Sequence, residues 1–166
     1  FEIKDILLDV EALDRFGNLH HAKVTELQYN YRQCNAPKDW IFVSARLKGK
    51  TDNPKKIAER MRKAASEREK TQPVRERTGG STFKNPSNHK AWKLIEVSGC
   101  RGLRRGDAQV SSSHCNFLIN KGNATAEDLE ILGEKVRARV QKETGVLLEW
   151  EIVRIGRNLS KGRFYE

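Results

Sequence analysis

The residues best suited to chemistry lie together in Gly79-Gly80-Ser81-Thr82-Phe83-Lys84-Asn85-Pro86. This stretch puts a hydroxyl, a cation and an amide side by side, on backbone freed by paired glycines and then fixed by a proline. Such a loop can set a reactive side chain and several hydrogen-bond donors around one small ligand. Residue types alone also describe a plain surface turn, because Gly, Asn, Pro and Ser favour turns wherever they cluster. The choice between these readings rests on the remainder of the chain.

The elements that must carry the loop are legible on both sides of it. Ile6, Leu8 and Val10 alternate with Leu7, Asp9 and Glu11, the pattern of a half-buried strand. Asp14 to Asn18 reads as a turn, and Leu19 to Val24 as the returning strand of a hairpin. His20 and His21 are neighbours on that strand, point to opposite faces, and read as structural residues that share no metal. Trp40 to Leu47 is a further strand. A helix opens with Asn53 as N-cap and Pro54 in first position, with Ile57, Met61, Ala64 and Ala65 as a narrow apolar stripe. It fades before Gln72-Pro73, where a domain boundary is expected.

Beyond the loop, Ala91 to Ser98 reads as a short helix with Trp92, Leu94 and Ile95 facing inward. Arg101 to Gly106 reads as a basic loop able to face a diphosphate, and Phe117 to Ile119 as a short buried strand. The clearest helix is capped by Thr125, places Glu127 and Asp128 in its positive first turn, repeats Leu129, Leu132, Val136 and Val140, and stops at Gly145. Leu148, Trp150 and Ile152 then alternate with Glu149 and Glu151 as a last strand.

Composition narrows the class. In 166 residues, 37% hydrophobic and 33% charged, there is material for one domain or two small ones. No apolar run reaches the ~18 to 20 residues of a membrane span. Phe1 to Asp5 has no signal-peptide character, and its lack of an initiator Met agrees with a fragment. Cys34, Cys100 and Cys115 lack Cys-x-x-Cys spacing, which favours reduced thiols in a cytoplasmic protein over disulfides or zinc. The net charge of +10 raises nucleic-acid binding, but from Arg46 to Arg77 twelve Lys or Arg stand against five Asp or Glu. Most of that surplus belongs to the helix, where charge is usually a solvated face, and no aromatic residue in the segment offers a stacking platform, which argues against nucleic acid.

In residue order the loop resembles the Gly-Ser-x-Phe-Lys-Asn-Pro signature of the UDP-N-acetylenolpyruvoylglucosamine reductase family, flavoenzymes of bacterial cell-wall synthesis. Further segments match in the same order: Tyr31-Arg32, Ala108-Gln109-Val110-Ser111 leading to His114-Cys115-Asn116-Phe117, and Leu148-Glu149-Trp150-Glu151. The helix opening Asn123 to Asp128 is also similar. The family carries a glycine-rich flavin-binding half ahead of the position of Phe1, and nothing in this chain resembles it. The resemblance therefore implies the C-terminal part of such an enzyme.

It also implies an α+β fold. A remnant of the FAD-binding region would run over residues 1–72, a substrate-binding domain over 73–149, and a C-terminal strand and tail over 150–166 would pack back toward the flavin region. The implied reaction reduces UDP-N-acetylglucosamine enolpyruvate to UDP-N-acetylmuramate, with NADPH reducing FAD. The resemblance assigns the proton donor to Ser81 and the pair at the substrate carboxylate to Arg32 and Glu151. It sets Tyr31, Lys84, Asn85, Gln109, His114 and Asn116 around the substrate. It assigns no cofactor-binding residue here and no metal ligand, and FAD binding by this chain alone is doubtful on this reading. Cys34 stands where relatives often have Ser. An inert UDP-sugar-binding fragment and a basic nucleic-acid-binding domain are the alternative functions.

Overall fold

The structure, a computed structural model, describes residues 2–157 and 164–165. It is α+β and divides into two compact units, Phe1–Ile57 and Ala58–Glu166.

The first unit is a three-stranded antiparallel sheet in the order β2-β1-β3, made of β1 (Leu7–Leu13), β2 (Leu19–Lys23) and β3 (Ile41–Leu47). The β1–β2 hairpin turns where the sequence predicts it. Asp14 accepts hydrogen bonds from the Phe16 and Asn18 amides, from Asn18 Nδ2 and from His20 Nε2, which hold its carboxyl well below the usual carboxylate range. Burial along β1 departs from strict alternation: Leu7 and Val10 are buried and Leu8 is exposed. A register shift against β3 between Leu7 and Asp9 inserts a bulge, and this exchanges the faces of Leu7 and Leu8. Leu27 joins Leu7, Val10 and Ala22 in a small core against which Trp40 and Tyr29 pack.

Helix α1 (Pro54–Thr71) opens as expected, with Asn53 Oδ1 accepting the Lys55 amide at 2.9 Å. None of its residues is buried, so Ile57 and Met61 remain exposed among its Lys and Arg.

The second unit carries a four-stranded antiparallel sheet in the order β4-β7-β6-β5: β4 (Thr78–Ser81), β5 (Arg104–Arg105), β6 (Ala108–Val110) and β7 (Phe117–Asn120). The basic segment expected as a loop is in part a tight hairpin, because Gly106 (φ +51°) and Asp107 let Arg104 and Arg105 pair with Gln109 and Ala108. Two helices, α2 (Ala91–Val97) and α3 (Ala126–Thr144), close the core. In α3 the Thr125 hydroxyl accepts the Asp128 amide while the Asp128 carboxylate accepts the Thr125 amide, and Gly145 ends the helix at φ +74°. Leu132, Val136 and Val140 on its inner face meet Phe83, Ile95, Leu118 and Leu148.

The last strand predicted by alternation is reduced to a single bridge, Phe83 with Trp150. The alternation holds from buried Leu148 through exposed Glu149 to half-buried Trp150, but Glu151 and Ile152 are both half-buried, and the Thr82 carbonyl accepts from both of their amides, which ends regular pairing. A short pair, β8 (Gly156–Arg157) with β9 (Phe164–Tyr165), follows, and residues 158–163 and 166 of the tail lie outside the described residues.

Candidate active site

The paired glycines of the motif act through a bulge. Thr78 lies opposite Ile119 and Ser81 opposite Phe117, so β4 spends one residue more than β7 over that span. Gly80 takes up the extra residue at φ +91°, a conformation open to glycine. The bulge gives half-buried Ser81 the sheet face of Phe117, which regular pairing from Thr78 would deny it.

Past Ser81 the chain is held from both sides. From one side, the carbonyl of Asn116, just before β7, accepts the Thr82 amide at 2.8 Å, and the Thr82 hydroxyl accepts the Leu118 amide of β7 at 3.2 Å. From the C-terminal segment, the Glu151 amide donates to the Thr82 carbonyl and the Lys84 amide to the Glu149 carbonyl, each at 2.9 Å. Ser81 and half-buried Glu151 are therefore carried on directly hydrogen-bonded segments although they are far apart in sequence. Thr82 is the residue that links them, and sequence reasoning passed over it. A backbone carbonyl leaves no signature in residue type.

The surrounding residues have defined tasks. Lys84 Nζ lies 3.4 Å from Glu149 Oε2. Asn85 Oδ1 accepts the Ala91 amide at 3.0 Å, tying the motif to the start of α2. Gln109 is buried in β6 and accepts from Arg104 at 3.3 Å. His114 is half-buried beside the Trp92 and Phe117 rings, and its Nδ1 accepts the Asn116 amide at 3.3 Å, which fixes the Nε2–H tautomer. Burial pushes the imidazole below its ordinary value and Arg101 adds to this, so it is neutral at neutral pH. The arginines of the basic segment already have protein partners: Arg101 with Glu96 and the Ser112 carbonyl, Arg105 with Asp128.

Tyr31 and Arg32 belong to the other unit. They form the centre of a tight turn closed by reciprocal Asn30 and Gln33 backbone bonds of 2.9 and 3.1 Å. Arg32 sits at φ +59°, with its guanidinium 5.3 Å from the Tyr31 ring centre, and both side chains are exposed.

A separate cavity of about 460 Å³ lies beside the same segments, lined by Gly79, Leu118, Leu129, Trp150 and Ile152 with Arg77 and Arg154. Ser81 and Glu151 are not on its wall. Among the described residues no group of three or more His, Cys, Asp or Glu is placed to hold a metal ion, and no helix is long and apolar enough to cross a membrane.

The sequence profile of the family described as UDP-N-acetylenolpyruvoylglucosamine reductase, C-terminal domain, matches residues 72–155. The chain belongs to this family. It is 56% identical over 161 residues to the UDP-N-acetylenolpyruvoylglucosamine reductase of Parvibaculum lavamentivorans, covering 97% of this chain and 52% of that protein. To the reductase of the same name from Beijerinckia indica it is 58% identical over 155 residues, covering 93% and 50%. The crystal structure of UDP-N-acetylenolpyruvylglucosamine reductase from Thermus caldophilus superposes with a TM-score of 0.75 at 38% identity, over 89% of this chain and 53% of that one. The chain thus spans about half the length of the curated relatives it matches. Within the family match lie Ser81, Lys84, Asn85, Gln109, His114, Asn116 and Glu151, while Tyr31 and Arg32 precede it.

Proposed function

We propose that the whole protein reduces UDP-N-acetylglucosamine enolpyruvate to UDP-N-acetylmuramate in peptidoglycan precursor synthesis, in the cytoplasm, with FAD as cofactor and NADPH as reductant. The observation that carries this is the Thr82 carbonyl accepting from Glu151, which seats Ser81 and Glu151 on adjoining segments of a chain belonging to the reductase family. The proposed domain boundary follows the family match, which begins at residue 72 just after α1 ends at Thr71, whereas the compact units divide earlier, between Ile57 and Ala58. On this proposal residues 1–72 belong to the FAD-binding region and 73–149 bind substrate, with 150–166 returning toward the flavin.

The described residues do not by themselves fit a flavin diphosphate. No glycine-rich turn opens a helix among them, and in the first turns of α1, α2 and α3 one amide each, of Lys55, Ala91 and Asp128, already donates to Asn53, Asn85 and Thr125. When bound in the whole enzyme, the flavin supplies the hydride. This chain supplies charge and a proton. Arg32 grips the enolpyruvyl carboxylate through two parallel N–H bonds, which its planar, permanently charged fork suits. The resemblance implies Glu151 as the second group at this carboxylate. As negative charge builds on the substrate carbon and spreads into the carboxylate, these groups stabilise it selectively. The Ser81 hydroxyl then gives its proton to that carbon, and its neighbours and solvent restore the proton.

Stopped-flow kinetics on the complete enzyme tests this. Ser81→Ala leaves flavin reduction by NADPH near the native rate and slows reoxidation by the enolpyruvyl substrate roughly 10² to 10⁴-fold, the worth of a placed general acid. Ser81→Cys retains more activity than Ala, since a thiol still donates. An Ala variant reoxidised at the native rate ends the role of Ser81 as the acid. An inert UDP-sugar-binding module, the alternative, would bind the sugar nucleotide with no reoxidation at all.

A further inference from the structure

Regular pairing between β4 and β7 is interrupted at Gly79 and Gly80, and a single side chain takes over beyond it. Asn116 immediately precedes β7 and is 5% exposed. Its Oδ1 accepts the Phe83 amide at 3.0 Å, and its Nδ2 donates to the Phe83 carbonyl at 2.8 Å. An amide side chain is chemically a peptide group, so this two-bond clamp reproduces one rung of a β-ladder where the backbones have parted. Together with the Thr82 amide bonded to the Asn116 carbonyl, it fixes both residues that follow Ser81. The Phe83 ring, 1% exposed and 5.0 Å from that of Trp150, anchors the same residue in the core.

We infer that Asn116 is a positioning residue for Ser81, acting through the Phe83 backbone and making no contact with substrate. The inference rests on Ser81 being the proton donor. The resemblance set Asn116 among the substrate-binding residues, but in the fold its oxygen and its nitrogen both face Phe83. Only an amide supplies donor and acceptor at once at this reach, so neither Asp nor Leu, each of similar volume, can replace it. Without the clamp the loop turns about the Gly80 bulge, and the Ser81 hydroxyl loses its fixed distance to the reacting carbon.

The test uses the complete flavin-loaded enzyme and follows flavin reoxidation by UDP-N-acetylglucosamine enolpyruvate. Absence of reoxidation in wild type overturns the functional proposal and this inference together. In an active enzyme, Asn116→Ala slows reoxidation at saturating substrate about 100-fold, with the substrate KM within about threefold of native. Asn116→Asp keeps the acceptor for the Phe83 amide and loses the donor. It gives an intermediate rate, and serves if the Ala variant does not fold. The deciding measurement is the double variant: Ser81→Ala with Asn116→Asp reoxidises no more slowly than Ser81→Ala alone, because the clamp acts only through Ser81. A raised KM at native rate marks Asn116 as a substrate-binding residue and overturns the inference while leaving Ser81 as the acid. Independent, multiplying losses in the double variant overturn it equally.

Discussion

Arg32 carries a conformational cost in its backbone. It occupies the third position of the Asn30–Gln33 turn at φ +59°, the position and sign that glycine fills most easily. A left-handed arginine costs about 1 kcal/mol relative to its relaxed backbone. Strain of this kind persists where a side chain must be presented in one direction, in keeping with the proposed grip on a carboxylate. Arg32→Gly relieves the strain but gives up the stacking on Tyr31, so its stability by denaturant titration should equal or exceed native by up to about 1 kcal/mol. Activity of the complete enzyme should fall by about two orders of magnitude or more, as when a charged partner of the transition state is removed. Arg32→Lys should recover only part of it, since an ammonium cannot form paired parallel bonds. A marked loss of stability in the glycine variant, or native activity in it, would show that the turn and not the guanidinium is what matters.

At the level of elements, α3 and the segment after Leu148 fit through one missing side chain. A Cβ added at Gly133 would overlap the outer edge of the Trp150 ring, whose Nε1 donates to Glu134 at 2.9 Å and whose face carries the Arg154 guanidinium at 4.6 Å. Trp150 is the partner of Phe83 in the bridge beside Thr82, so this contact also supports the segment bearing Glu151. Alanine is preferred over glycine within a helix by about 1 kcal/mol. Here overpacking should outweigh that preference, and Gly133→Ala should lower stability by about 1 to 3 kcal/mol. The midpoint of chemical denaturation reads the sign directly. A rise would mean that Trp150 yields freely and does not brace the segment. The same element shows the limits of periodicity: Leu132, Val136 and Val140 reveal the buried face of α3, yet nothing in the repeat marks Gly133 as the seat of a tryptophan from beyond Gly145.

For the molecule as a whole, the described helix N-termini have no glycine-rich cradle, so the 166-residue chain titrated with FAD should show no stoichiometric complex by flavin fluorescence. A yellow one-to-one complex that survives gel filtration would place the flavin site within this chain. The order of elements, the capped ends of α3 and the helix start at Asn53-Pro54 were determined by local sequence, because capping, turn formation and periodic burial depend on residues within a few positions of one another. The candidate site residues were likewise named from the sequence, as motifs in order. Local rules failed wherever a long-range partner changed the pairing. The bulge in β1 exposed Leu8 in place of Leu7, and the bifurcated Thr82 carbonyl reduced a promising strand to one bridge. Only the tertiary fold decided that Glu151 lies beside the residue after Ser81 and that Asn116 clamps Phe83. Both follow from hydrogen bonds between backbone or buried amide groups many positions apart, and such bonds leave no periodic trace along the chain.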